Sequence, residues 1–182
     1  MENTTMRKDI FKICFTGVML ALAVVLSTFC QIRLFGDIRL DLSYLVIVVM
    51  CYAYGGLIGS IFAGSIAMLN STFFSSYGVS ISWISANLII GLITGLVLHY
   101  VTVKNKGLKI GIDLTAIVLS CAIGLLLTKT VIECNLYNIP FEVKIVKNAV
   151  AFGVDVGAMI VGYFTLVPLY KRIVDKKSYL EY

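Results

Sequence analysis

The stretch that decides the fold runs from Leu42 to Val103 and reads LSYLVIVVMCYAYGGLIGSIFAGSIAMLNSTFFSSYGVSISWISANLIIGLITGLVLHYVTV. These 62 residues contain no Asp, Glu, Lys or Arg. A helix that crosses a bilayer needs about 20 mostly apolar residues. The stretch is therefore long enough for three such helices, and it predicts a protein that is embedded in lipid.

The composition of the whole chain supports this prediction. Of its 182 residues, 59% are hydrophobic and 14% are charged, whereas a soluble domain carries about 25% charged residues. So few charges cannot cover a surface that faces water. A soluble enzyme, a nucleic-acid-binding protein and a disordered chain are therefore poor interpretations. We assign the net charge of +5 to loop lysines and expect no nucleic-acid partner.

Apolar runs on both sides of the central stretch complete a set of six predicted spans. Gly55-Gly56 is the expected break inside the first part of the stretch, and the turn-forming run Ser75-Ser76-Tyr77-Gly78 is the expected second break. We therefore predict an all-α integral membrane protein that forms one transmembrane domain over residues 1–182. The predicted spans are 13–32, 41–54, 56–74, 81–103, 110–132 and 146–170.

The basic residues predict the orientation of these spans. Six helices leave both termini on one side, and that side then carries ten Lys and Arg residues against four or five on the other. Cytoplasmic loops are enriched in Lys and Arg. We therefore expect both termini in the cytoplasm. The ten residues are Arg7, Lys8, Lys12, Lys104, Lys106, Lys109, Lys171, Arg172, Lys176 and Lys177.

Small residues recur four apart on the predicted helices, a spacing that lets helix backbones approach closely. Gly17 and Ala21 form such a pair on the first helix. We expect most of these residues to pack inside the bundle, and we expect the third helix to be central. The other main sets are Gly56, Ser60 and Gly64; Gly91 and Gly95; and Ala149, Gly153 and Gly157.

Polar side chains at membrane depth are costly and mark functional sites. With the termini inside, these residues fall in the outer half of the bundle, while the inner half is mostly Gly, Ala, Ser and aliphatic residues apart from His99. This asymmetry predicts a cup that opens outward. The candidate substrate-binding residues are Arg39, Asn70, Trp83, Asn87, Lys129, Glu133, Asn148 and Asp155.

Each candidate also has a structural interpretation. Lys129 and Glu133 are four apart and could pair with each other, and Lys129 is the expected partner of Asp155, directly or through a ligand. Asn70 and Asn87 could form hydrogen bonds between helices. Trp83 could be an anchor at the membrane interface.

No catalytic or metal-binding motif is present. The chain lacks GxxxxGK[ST], HExxH and GxSxG sequences, and its five cysteines and one histidine show no ligand spacing. We therefore expect no enzyme activity, no cofactor and no metal site. A six-helix cup without an energy source indicates a binding subunit that depends on partners.

Three segments resemble the substrate-binding S components of energy-coupling-factor (ECF) vitamin transporters. The first runs from Gly17 to Ser27 and is similar to the family's first helix, with Gly17 in place of an alanine. The second combines Ile38–Leu45 with the glycine turn at Tyr54–Ser60, and the third is Ala86–Gly95. The resemblance covers nearly the whole chain.

This resemblance implies a mechanism and partners. The S component would bind a vitamin from outside and deliver it inward together with a transmembrane coupling protein of the EcfT type and two ATPase subunits. It implies the prokaryotic cell membrane as the location, and it assigns Gly17 and Ala21 to docking of the coupling protein. A pocket containing Lys129, Asp155, Asn87 and Trp83 suits a planar heterocycle.

The resemblance leaves the vitamin open. The Lys–Asn pairing expected near Asn70 for riboflavin-type members is missing, and Ser80-Ile-Ser-Trp83 stands where folate-type members carry Pro-Gly-Phe. Two other functions remain as alternatives from the residues alone. One is a structural or assembly subunit without a ligand, and the other is a small stand-alone permease.

Overall fold

The structure, a computed structural model, describes residues 2–29, 32–35, 38–74 and 79–178, with side chains described for 10–29, 41–74 and 79–173. These residues form six α-helices, two π-helical segments and one short two-stranded antiparallel ribbon. In chain order the elements are α1 Glu2–Phe29, β1 Ile32–Phe35, β2 Ile38–Leu40, α2 Ser43–Leu69, a π-helical segment Asn70–Phe74, α3 Ile81–Tyr100, α4 Lys106–Cys121, a second π-helical segment Ala122–Lys129, α5 Thr130–Tyr137 and α6 Phe141–Ser178.

Five helical stretches in the described part of the chain are long and apolar enough to cross a bilayer. The architecture is therefore helical, as predicted, although the first helix ends at Phe29 because the chain then enters the ribbon. The predicted turn at residues 75–78 lies outside the described residues. The five stretches are Ile10–Phe29, Ser43–Phe74, Ile81–Tyr100, Lys106–Tyr137 and Phe141–Ile173.

The predicted break at Gly55-Gly56 is confirmed at Gly55. This residue has φ 83° and ψ −171°, a conformation that glycine adopts without the steric cost of a side chain. The two halves of α2 fold back on each other. A Cβ atom built on Gly59 would lie only 3.2 Å from the Cα of Cys51. In a straight helix, residues eight apart would be separated by about 12 Å.

The second half of α2 packs very closely against α3. A Cβ atom at Gly91 would lie 2.4 Å from the carbonyl oxygen of Gly59, and one at Gly95 would lie 2.6 Å from that of Gly55. The Ser60 hydroxyl donates a hydrogen bond of 2.7 Å to the Leu88 carbonyl. The central position predicted for this segment is therefore confirmed, since these glycines allow backbone to touch backbone.

The small residues that were predicted four apart on α1 and α6 do not pack inside the bundle. Among the described residues, no atom lies within 4 Å of a Cβ added to Gly17, Gly153 or Gly157, and Ala21 is exposed. Our expectation of internal packing is therefore wrong for Gly153 and Gly157, because periodicity identifies a helix face but not its neighbour, whereas Gly17 and Ala21 are the pair that the resemblance assigns to partner docking. These faces are directed away from the rest of the chain.

Contacts at two levels hold α1 against the bundle. At its middle, the Phe15 ring lies 6.2 Å from that of Tyr54 and 5.9 Å from that of Tyr170. Near its end, the Asn70 amide donates a short hydrogen bond to Ser27, and Thr28 donates one of 3.4 Å to the Asn70 side-chain oxygen. The face that carries Gly17 and Ala21 stays uncovered between these contacts.

Candidate functional site

The bundle has two ends, which we call the Trp83 end and the Lys109 end. Trp83 lies in the first turn of α3 and Leu98 in its last turn, about 22 Å apart along the helix. Lys109, at the start of α4, donates a hydrogen bond to the Leu98 carbonyl. Polar side chains gather at both ends.

Three elements bring aromatic and basic groups together at the Trp83 end. Tyr44 of α2 packs edge-on against Trp83 of α3, with 6.4 Å between the ring centroids. The Lys129 ammonium lies 4.5 Å from the centroid of the Trp83 ring, which is within the range of a cation–π interaction. We call Tyr44, Trp83, Lys129 and Asp155 the Trp83 cluster.

Two buried polar atoms of this cluster have no hydrogen-bond partner among the described residues. They are the Asp155 Oδ2 atom and the Tyr44 hydroxyl; the Asn87 side chain lies beside that hydroxyl, and Asp155 is only 2% exposed. Asp155 interacts electrostatically with Lys129 and Asp41. Most buried polar atoms in proteins are hydrogen-bonded, so two unpartnered ones in a single cluster indicate a site that is completed by something else.

The direct pairings predicted for Lys129 are wrong. Among the described residues, no carboxylate oxygen of Asp155 or Glu133 lies within 4 Å of the Lys129 ammonium, and the Glu133 carboxylate instead contacts Lys144 at 3.2 Å. The ammonium is directed to the Trp83 face. The prediction that Lys129 and Asp155 are joined through a ligand stays a prediction.

Asp41 is a second carboxyl group near the cluster, and the sequence analysis missed it. It lies just before α2, and the Ser43 N–H donates a hydrogen bond of 2.9 Å to its Oδ1 atom. Burial raises the pKa of Asp41 above its usual value, while hydrogen bonds from Ser43 act in the opposite direction. A search for charges inside the apolar runs could not find it, because it directly precedes one.

Glu133 and Asn148 belong to a neighbouring network in which each has protein partners. The Glu133 carboxylate accepts a hydrogen bond of 3.3 Å from Ser82 and one of 3.5 Å from Asn148. The Asn148 amide also donates one of 2.9 Å to Thr130. These bonds give both residues a structural role, whereas their predicted role in binding is not tested by the geometry.

The remaining candidates differ in their surroundings. Asn87 is buried and donates a hydrogen bond of 2.9 Å to the Trp83 carbonyl one turn earlier, which places it beside the cluster. The Asn70 side chain is bonded to α1, as the structural interpretation expected. Arg39 lies in β2 opposite Arg33, and its side chain lies outside the described ones.

The Lys109 end contains a charged network that includes Asp113, a buried residue that was not among the predicted polar candidates. The Lys109 ammonium contacts the Asp113 carboxylate at 2.5 Å, and the Tyr163 hydroxyl donates a hydrogen bond of 2.8 Å to the other oxygen. Lys109 also bonds the Val97 and Leu98 carbonyls at the end of α3. We call Lys109, Asp113 and Tyr163 the Lys109 network.

The Trp83 cluster has the chemistry to bind a planar, polar ligand. It offers aromatic faces, an ammonium group, an unpartnered carboxylate oxygen and an unpartnered hydroxyl. Within the described part of the chain, no group of three His, Cys, Asp or Glu side chains could hold a metal ion. The geometry thus favours binding of an organic ligand at this end.

Comparison with known proteins identifies the family. A family model described as "ECF-type riboflavin transporter, S component" matches residues 7–175. The chain belongs to this family. No curated protein matches the sequence. The likeness predicted from the three sequence segments is therefore confirmed, and this S component is a multi-pass membrane protein of a vitamin transport system.

A solved structure supports the fold of this S component. A crystal structure of the S component for biotin from an ECF-type ABC transporter matches with a TM-score of 0.64. The two sequences are 17% identical, and the match covers 91% of this chain and 93% of the other. At this identity the likeness bears on the fold alone.

Proposed function

We propose that this S component captures riboflavin, or a closely related planar heterocycle, at the Trp83 end of the bundle. The observation that carries the proposal is the Trp83 cluster, in which Asp155 Oδ2 and the Tyr44 hydroxyl are buried without a hydrogen-bond partner among the described residues. A tricyclic ring would stack on the face of the Trp83 indole that the Lys129 ammonium does not cover. Its imide N–H would donate to Asp155, and a ring carbonyl oxygen would accept from Tyr44 or Lys129.

We propose that the Trp83 end faces the outside of a prokaryotic cell and that both termini are cytoplasmic. The reversal at Gly55 supports six passes through the bundle, although the first half of α2, Ser43–Tyr54, would reach only about 18 Å. Basic residues support the orientation, because Lys104, Lys106, Lys171 and Arg172 are exposed near the Lys109 end.

We propose that import depends on a transmembrane coupling protein of the EcfT type and two ATPase subunits. Gly17 and Ala21 are exposed and have room for a partner helix on α1. A side chain as large as leucine at either position would prevent a close approach of that helix. ATP hydrolysis would take place on the partners, since this chain carries no nucleotide-binding loop.

The binding experiment uses the only tryptophan of the chain. Riboflavin is titrated into the detergent-purified protein while Trp83 emission is followed, with biotin and folate as matched controls. Stacking on Trp83 is expected to quench its emission with riboflavin and much less with the controls. Full emission with all three vitamins, together with no co-purified small molecule by mass spectrometry, would favour the alternative of a ligand-free assembly subunit.

The partner experiment compares three leucine variants. Gly17→Leu and Ala21→Leu are expected to bind vitamin normally but to lose capture of the coupling protein and uptake in cells. The control is Gly111→Leu on α4, which also has no atom within 4 Å of an added Cβ, and it should behave as wild type. Uptake by liposomes that contain only this subunit would instead support a stand-alone permease.

A further inference from the structure

A second cleft lies at the Lys109 end, opposite the proposed vitamin site. Its volume is about 290 Å³, which is large enough for a small polar group of several non-hydrogen atoms. Residues from α2, α3, α4, α6 and the connection after α3 form its walls. They are Tyr52, Ala53, Leu98, His99, Val101, Thr102, Lys109 and Tyr170.

The cleft lies at the depth where lipid headgroups are found. Its walls come from the last turn of α3, which ends at Tyr100, from the connection at Val101 and Thr102, and from the start of α4. Headgroups occupy the layer just beyond the hydrocarbon core, at the ends of the spanning helices. A ligand in this cleft could therefore remain anchored in the membrane by its acyl chains.

Lys171 lies beside this cleft and adds a positive charge to that of Lys109, which lines it. The Lys171 ammonium lies 4.8 Å from the centroid of the Tyr52 ring, and Tyr52 lines the cleft. Lys109 is less available, because its hydrogen bonds already go to Asp113, Val97 and Leu98. Among the described residues, no carboxylate forms an ion pair with Lys171.

Neutral polar groups of the cleft complement this charge. The His99 Nδ1 atom lies 2.9 Å from the Tyr52 carbonyl oxygen. A carbonyl oxygen only accepts, so Nδ1 carries the proton, and Nε2 of the neutral ring is left as an acceptor. The Thr102 hydroxyl forms no hydrogen bond with any residue that the structure describes. The cleft therefore offers a cation together with a hydroxyl donor and an imidazole acceptor.

We propose that this cleft binds the headgroup of an anionic, hydroxyl-bearing phospholipid. The phosphate would lie against the Lys171 ammonium, while headgroup hydroxyls would bond the Thr102 hydroxyl and the His99 Nε2 atom. Exposed basic residues nearby, at Lys104, Lys106 and Arg172, would attract anionic lipid toward the cleft. The site is independent of the vitamin and lies at the other end of the bundle.

Native mass spectrometry of the full chain in detergent tests this proposal. Phosphatidylglycerol and phosphatidylcholine with the same acyl chains are each titrated into the protein, and a third sample receives inorganic phosphate in millimolar excess before phosphatidylglycerol. We expect preferential retention of one phosphatidylglycerol molecule. Inorganic phosphate should not displace it, because the lipid is also held by its acyl chains.

Three variants locate the site. Lys171→Gln is expected to weaken phosphatidylglycerol retention about fivefold, since it removes a direct ion pair with the phosphate, and an exposed ion pair contributes up to about 1 kcal/mol. Thr102→Val should weaken it by a smaller factor. Lys104→Gln removes the same charge outside the cleft and should change retention less than twofold. Trp83 emission during heating checks that each variant is folded.

Three results would overturn the proposal. Equal retention of the two lipids would show that the charge of the headgroup is not recognised. Equal losses in Lys171→Gln and Lys104→Gln would indicate a diffuse surface potential rather than a site. Displacement by inorganic phosphate would show that the cleft binds free phosphate instead of a lipid.

Discussion

The two ends of the bundle contain similar polar groups, but the hydrogen bonding of the buried aspartate differs between them. At the Lys109 end, both oxygens of the buried Asp113 carboxylate are bonded, one to Lys109 and the other to Tyr163. At the Trp83 end, the Asp155 Oδ2 atom is equally buried but has no partner among the described residues. Both ends contain an aspartate, a lysine and a tyrosine. Only at the Lys109 end do the lysine and the tyrosine bond the aspartate carboxylate.

This difference separates a structural role from a binding role. A buried polar atom without a hydrogen-bond partner lowers the free energy of unfolding by about 1–3 kcal/mol. A bound ligand that forms the missing hydrogen bond would remove this cost. The Lys109 network has no such cost, and it joins α3, α4 and α6. We therefore expect substitutions at the Lys109 end to change stability and substitutions in the Trp83 cluster to change affinity.

The largest expected effect is on Asp113. Asp113→Ala removes the partner of a partly exposed lysine and of a tyrosine hydroxyl while Asp113 itself is buried, so the cost approaches but does not exceed the value of about 3–5 kcal/mol for breaking a fully buried pair. We predict a strong loss of folded protein and a lower melting temperature, measured by Trp83 emission on heating. The dissociation constant for riboflavin should stay unchanged in the molecules that remain folded.

A double variant provides the control for Asp113. Lys109→Met combined with Asp113→Leu replaces the ion pair by apolar side chains, which is often neutral for stability. It should therefore recover much of the melting temperature lost in Asp113→Ala. An Asp113→Ala protein of wild-type stability would contradict the structural role of the Lys109 network.

The next effect concerns Asp155. Asp155→Asn exchanges the unpartnered oxygen for an amide nitrogen, so it removes a charge-assisted hydrogen bond to the ligand but none to the protein. The loss of about 1.5–3 kcal/mol corresponds to roughly 10- to 150-fold weaker binding. Quenching of Trp83 emission by riboflavin measures the affinity, and a melting curve on the same sample measures stability.

The alternative for Asp155 gives the opposite pair of results. A lower melting temperature with an unchanged dissociation constant would show that Asp155 holds the bundle together. The comparison between the two ends would then fail, because both aspartates would be structural.

The smallest expected effect is that of substituting Glu133. This substitution tests whether Glu133 belongs to the ligand site. Glu133→Gln weakens an ion pair with Lys144, whose side chain is partly exposed, and such pairs contribute about 0–1 kcal/mol. We predict a slightly lower melting temperature and a riboflavin affinity within twofold of wild type. A tenfold loss of affinity would instead make Glu133 part of the ligand site.

The sequence predicts the membrane architecture well because its cause is local. The lack of charge from Leu42 to Val103 is incompatible with a water-facing surface, and the glycine pair at Gly55 marks a break that a regular helix cannot contain. The small size of Gly91 and Gly95 also permits close packing, although the segment that they meet, Gly55–Ser60, is set by the fold. The first two features do not depend on distant parts of the chain.

Other features depend on contacts between distant residues, so the sequence could not supply them. The π-helical segment Ala122–Lys129 changes the direction of side chains that an α-helix would place differently, and the pairings predicted for Lys129 were wrong. Asp113 was missed although Lys109 precedes it by one turn, because we looked for polar groups at the other end. The bond to Tyr163 joins residues 50 positions apart.

The uncovered face of α1 also makes the protein convenient to label. Cys14 is exposed and lies three residues before Gly17 and seven before Ala21, whereas Cys51 and Cys121 are buried and Cys134 is partly exposed. In a variant that keeps Cys14 as its only cysteine, a thiol-reactive dye would therefore label α1 next to the proposed docking face. The fluorescence of the dye would report binding of a partner helix to α1, while Trp83 emission reports binding of the ligand. Ligand binding and partner binding can therefore be timed separately in one sample.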